Sequence, residues 1–274
     1  MVALDRFLAI SALSLGALAC PLGPKTISRR ADTNTSSSST PAASSWSPPS
    51  SMTTALDQVW KQTLKEKANW FDDKNWNLDQ LMANNGSINY CVRWNTAQAS
   101  TAENRALTAS ALQRSLGKWA DTLIGFAGFP LTSVDVNVVG YAVKDKSLMQ
   151  GDVSDIDVYT TADADGVPEC DPRCYRGAHL DGDISTCPGG EASRYDISLW
   201  LDDSLAGEIA VEDENVHILL HEMGHGFGLL DFYDWVPEGQ ESFVMMAGSA
   251  MEVTEFDAWM LRDWWRKLKA VRGW

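Results

Sequence analysis

His221-Glu222-Met223-Gly224-His225-Gly226-Phe227-Gly228-Leu229-Leu230-Asp231 is the stretch on which the reading of this chain turns. On a helix, His221 and His225 stand one turn apart, so both imidazoles face the same way and can hold one metal ion. Glu222, next to the first histidine, can serve as general base toward a water activated by that metal. Gly228 permits a sharp turn that would bring Asp231 back as a third ligand. Three protein ligands leave zinc a fourth position for water, which is the arrangement of a catalytic site. An aspartate in third place makes zinc a poorer Lewis acid than histidine would, and loses its charge only at low pH. The bland alternative is a histidine pair packed on an ordinary helix.

The neighbouring residues offer competitors. Glu252 and Glu255 lie downstream at a distance where a glutamate ligand from a following helix could replace Asp231, and Asp234 would serve if the turn ran longer. Asp231 is preferred because Gly228 is already placed to make the turn. His217 falls one turn before His221, but three histidines on a straight helix spread over about 12 Å, too far for one metal. It is expected to pack beside the site, and His179, in a loop rich in glycine and aspartate, to be exposed. Met245 and Met246 follow in Ser242-Phe243-Val244-Met245-Met246-Ala247-Gly248, where ordinary core packing is the default reading for methionine.

Together these residues resemble the metzincin zinc peptidases, whose signature is an HExxHxxGxx(H/D) run followed by a methionine-containing turn. Asp231 stands where most metzincins have histidine, a substitution similar to that of the snapalysins. His221 to Trp235 and Glu255 to Trp265 also resemble a group of secreted fungal proteins. The resemblance covers about residues 210–270. It implies an α+β, metzincin-like zincin domain: a twisted, mostly parallel sheet with an antiparallel edge strand, an active-site helix, a methionine turn with Met245 or Met246 beneath one catalytic Zn2+, and a C-terminal helix. It implies a polypeptide substrate as well. Some metzincins place a tyrosine two residues after the methionine; Ala247 and Gly248 stand there, so none is carried over.

Residues 1–19 read as a signal peptide, with Arg6, an apolar run from Phe7 to Ala19 and a small-residue cleavage site at Ala17-Leu18-Ala19. Cys20 would permit a lipoprotein reading, but Ala17 stands where such signals want leucine. Residues 20–30 read as a short pro-segment ending at the dibasic Arg29-Arg30. Residues 31–54, almost wholly Ser, Thr, Pro and Ala, read as a disordered linker. Residues 55–274 make one domain with enough chain for a good core. The net charge is −15, and residues 1–30 carry +3, so cleavage after Arg30 would leave −18. Such acidity argues against nucleic acid and anionic membrane as partners and suits a soluble, monomeric, extracellular enzyme. Asn34 and Asn85 are N-glycosylation acceptors.

Cys91, Cys170, Cys174 and Cys187 remain after the leader, an even number suited to two disulfides in an oxidising compartment. The short Cys170–Cys174 loop is disfavoured, so each of these two is expected to pair with Cys91 or Cys187; a second zinc site at Cys170 and Cys174 is the rival. Asp163-Ala164-Asp165-Gly166 and Asp181-Gly182-Asp183 resemble fragments of calcium loops, though neither completes one, so structural Ca2+ is a lesser expectation.

Periodicity predicts helices over 56–68, 102–123, 211–225 and 255–271, the last capped by Thr254, and strands over 88–94, 134–143, 156–159 and 195–201. Twelve tryptophans leave a carbohydrate reading open. The expected function is a secreted zinc endopeptidase; a zinc hydrolase of a glycan or cell-wall amide or ester, or a non-catalytic binding protein with the zinc fold, are the alternatives.

Overall fold

A computed structural model of the chain describes residues 45–211 and 215–274. The expected signal peptide, the pro-segment, Cys20, Asn34 and most of the linker lie outside the described residues. Twelve elements follow in chain order: α1 (Ser50–Glu66), α2 (Asn77–Ala83), β1 (Ser87–Trp94), α3 (Ala102–Asp121), β2 (Asp135–Val143), β3 (Asp157–Tyr159), β4 (Thr161–Ala162), β5 (Pro168–Glu169), β6 (Ile197–Leu201), α4 (Asp203–Ala210), α5 (His217–Gly226) and α6 (Glu255–Arg272). Among the described residues no helix is long and apolar enough to cross a membrane.

The fold is mixed α and β around a four-stranded sheet in the order β3-β2-β1-β6. Central strand β1 is covered on both faces, as a parallel sheet requires. Ile88, Tyr90, Val92 and Trp94 face the main core, while Cys91 turns into a smaller layer with Cys170, Cys174, Cys187 and Tyr195. The alternation seen in the sequence is therefore real, but both faces are buried. Arg93, 1% exposed, lies on the second face and pairs with Asp163 while donating to the Pro168 carbonyl.

One expectation is corrected. The antiparallel edge strand is not found in this sheet: β1 pairs with β2 and β6, and β2 with β3, all parallel. Antiparallel pairing is confined to the separate β4–β5 hairpin. An antiparallel edge would have to come from the chain between β3 and β6, which is rich in Asp, Gly and Pro and has no alternating apolar run to pair. Disulfides Cys91–Cys170 and Cys174–Cys187, with Cα separations of 6.4 and 4.7 Å, hold that chain instead. The paired thiols exclude a second zinc site at Cys170 and Cys174.

Two helix boundaries also differ. The helix expected over 211–225 is α5 and begins only at His217, while a separate helix not expected from the sequence, α4, precedes it, started by Asp202, which accepts from the Ser204 and Leu205 amides. Helix α1 starts at Ser50, inside the expected linker, because Trp46 is anchored. Its ring packs edge-on against Trp259, and the Arg266 guanidinium lies 4.0 Å over it. Thr254 caps α6 as expected, in a reciprocal box with Asp257.

Candidate metal centre

Helix α5 is fixed before its histidines can be. Trp119 of α3, fully buried, donates its indole N–H to the Leu220 carbonyl at 2.9 Å. Gly224 lets two neighbours close in, for a Cβ there would lie 2.2 Å from the Met245 sulfur and 3.0 Å from Trp119. Met245, fully buried, is thus the methionine that lies against the helix between the two histidines; Met246 is only partly buried.

The turn after α5 behaves as its glycine suggests. Gly228 has φ +92°, and a Cβ on it would strike the Trp264 ring at 2.1 Å. Trp264 cannot retreat, because Trp60, Trp70, Phe71 and Trp76 surround it with ring centroids 5.3–6.1 Å away. The chain therefore reverses here, and Asp231 comes back over the helix.

His221, His225 and Asp231 meet, the one such group of possible metal ligands among the described residues. Asp231 Oδ1 lies 3.0 Å from His221 Nε2 and 3.2 Å from His225 Nε2, and the two Nε2 atoms are 3.2 Å apart. The other ring nitrogens are committed: His221 Nδ1 lies 2.9 Å from the Val244 carbonyl and His225 Nδ1 2.8 Å from that of Leu229. A carbonyl can only accept, so each Nδ1 carries the proton and each neutral ring presents an Nε2 lone pair inward. Three electron-rich atoms facing one another need a shared cation or proton. Tetrahedral zinc with bonds of about 2.0–2.1 Å sets its ligand atoms about 3.3 Å apart, close to this triangle, and backbone carbonyls are the usual holders of the outer histidine nitrogen.

Exposure grades across the site, with side chains 4% exposed for His221, 23% for His225 and 43% for Asp231. The open side is therefore the carboxylate's. When the shared cation is a proton on the rings, burial would raise the Asp231 carboxyl, but hydrogen bonds and charge from the two imidazoles outweigh it and hold it well below the usual carboxylate range. Burial pushes the Glu222 carboxyl up, against the pull of His225 and His221 and with the help of Asp231. Burial opposes a charge on His225, yet its contacts with Asp231 raise it overall.

The remaining expected residues separate from this group. His217 Nε2 accepts from the Gly248 amide at 3.2 Å, a packing role beside the site. Glu252 accepts from Asn215, and Glu255, exposed, opens α6; neither belongs to the triangle, and nor does Asp234. Asp163 accepts from the Asp165 and Val167 amides and pairs with Arg93, while Asp181 and Asp183 accept from amides two residues on. These aspartates close turns. Asn85 is exposed, at φ 53°, in the turn after α2.

Tyr233 was missed by sequence reasoning. It is 66% exposed, its ring centroid is 6.3 Å from that of His221, and burial together with the nearby Asp231 and Glu222 charges pushes its hydroxyl up. Its position two residues after Asp231 was the available signal. The Val244 and Leu229 carbonyls were invisible too, being backbone. Comparison of the chain with protein-family models, curated proteins and solved structures finds no match in any of the three.

Proposed function

We propose that this chain is a secreted zinc-dependent endopeptidase of metzincin type. The observation that carries the reading is the triangle of His221 Nε2, His225 Nε2 and Asp231 Oδ1, with both Nδ1 protons turned away onto carbonyls. These three atoms would hold the zinc ion, which when bound supplies a Lewis acid that polarises a carbonyl and acidifies water. Glu222, next to His221 and raised by burial, takes the proton from the attacking water and delivers it to the leaving nitrogen. The Val244 and Leu229 carbonyls keep both rings in one tautomer throughout. Met245 fills the space beneath α5 as the methionine turn of the family would.

Secretion fits the two disulfides and the leader-like start of the sequence. A polypeptide is the expected substrate and the monomer the expected state. Trp119, Trp259, Trp264 and Trp265 are core residues, so these four offer no exposed row to a carbohydrate.

The test is zinc content by elemental analysis beside casein cleavage, on wild type, His221→Ala and Asp231→Ala. One zinc per chain, lost with cleavage in both variants, is the expected result. Zinc without cleavage would sink the peptidase reading, and a wild type without zinc would sink the mechanism.

A further inference from the structure

We propose that Asp257 is a positioning residue for His221, acting through the peptide group that joins Val244 to Met245. The inference rests on the metal reading above and adds a second tier to it.

Asp257 is fully buried on the first turn of α6. Its Oδ2 accepts from the Thr254 amide at 2.9 Å and the Thr254 hydroxyl at 2.7 Å, which completes the capping box. A capping box needs no more than this, and its carboxylate is ordinarily free to face water. Here the carboxylate also turns back onto the loop under α5. Oδ2 accepts from the Val244 amide at 2.8 Å and Oδ1 from the Met245 amide at 3.2 Å. Burying a charge is costly unless hydrogen bonds replace its water, so the two loop amides are what this burial secures.

The Met245 N–H and the Val244 C=O belong to one peptide group. Its N–H faces the Asp257 carboxylate, and its C=O receives the His221 Nδ1 proton at 2.9 Å. An anion on the N–H side polarises the amide and makes its oxygen a stronger acceptor. That oxygen then draws on the His221 Nδ1–H, fixes the ring plane and makes Nε2 a better donor to a metal. The arrangement is a carboxylate–histidine pair with a peptide group between the partners. The same two amides place Met245 against Gly224, so ligand and support are set together. Leu229, which serves His225, is held differently, by its own amide donating to the Gly224 carbonyl at 3.1 Å.

The test compares the full-length wild type with Asp257→Asn and Thr254→Ala. Zinc dissociation constants come from competition with a chelator, melting temperatures from the zinc-free proteins, and ligand geometry from visible absorption of the cobalt(II) forms. Thr254→Ala removes cap bonds and leaves the relay, so it lowers the melting temperature but keeps zinc affinity within about threefold. Asp257→Asn weakens zinc about 10- to 100-fold and alters the cobalt spectrum. Equal zinc affinity in Asp257→Asn, or weakening in both variants that merely tracks melting temperature, would overturn the relay. Should Asp257→Asn fail to fold, the wild-type Met245 amide resonance decides. A shift on zinc binding supports the relay, and indifference to zinc overturns it. A wild type that binds no zinc sinks the metal reading and the relay together, whereas a wild type that binds zinc while Asp257→Asn matches it sinks the relay alone.

Discussion

Two stretches of irregular chain, residues 160–196 and 227–254, are held in opposite ways. The first is cross-linked by Cys91–Cys170 and Cys174–Cys187 and laced with ion pairs, among them Arg93–Asp163, Arg173–Asp171 and Arg194–Glu191. The second has no cysteine and no basic side chain. It is held by imidazoles, glycine turns and the Asp257 carboxylate. Charge follows the same division. Of 37 acidic residues, 15 fall between Tyr195 and Leu261 with no Lys or Arg, so the rest of the chain balances at 22 of each sign. All of the formal −15 thus sits on the segment that carries the centre. A staple restrains the unfolded chain whatever the solvent, whereas loops gathered around acceptor atoms depend on what those atoms hold.

The sharpest way to break this contrast is Glu222→Gln. It removes the proposed general base and keeps all three proposed ligand atoms, so peptide cleavage should fall about 10²- to 10⁴-fold with zinc content unchanged. A variant that loses zinc as well would show Glu222 to be structural. Next in size, Cys91→Ala with Cys170→Ala should destabilise the fold by about 4–5 kcal/mol on chain-entropy grounds, and Cys174→Ala with Cys187→Ala by about 3. Denaturant melts would measure both. Zinc affinity in whatever fraction stays folded should hardly move, and a large drop would mean that the two stretches are coupled.

Gly228→Ala should cost about 1–3 kcal/mol from its left-handed backbone alone. The collision with Trp264 adds to that and displaces Asp231. Zinc should therefore weaken with the melting temperature, and a variant that binds zinc normally would refute the role given to the turn. Smallest is the pH effect on the zinc-free protein. Burial raises the Asp196 carboxyl, against the Asn89, Asn84, Arg194 and Arg176 contacts that lower it. The native state then holds a proton that the unfolded chain releases near pH 4. This contribution is complete below that pH and is lost as pH rises through the native value, so stability falls across the window. Asp196→Asn should flatten the slope, and an unchanged slope would place its origin elsewhere.

What could be read from sequence follows this division too. His221, Glu222, His225 and Asp231 were legible because helical spacing and one glycine fix their relation locally. Strands β1 and β2 were legible from alternation, and α6 from Thr254. Strand direction was not, because period two is the same parallel or antiparallel. Nor was α4, which Asp202 starts by a cap that apolar periodicity does not register. The chain from 160 to 196 has no period at all, since its order is covalent. Asp257 acts by reaching across the fold, and only its capping-box spacing left a local trace.

Helix α6 supports the centre from chain made later. His221 and Asp231 leave the ribosome before Asp257, since synthesis runs from the N-terminus. The ligands are therefore present before the residue that orders the loop beneath them, and before Trp264 closes over Gly228. A nascent chain carries the reactive residues without their scaffold. For the proposed peptidase, that order of birth withholds competence until α6 has been made and packed.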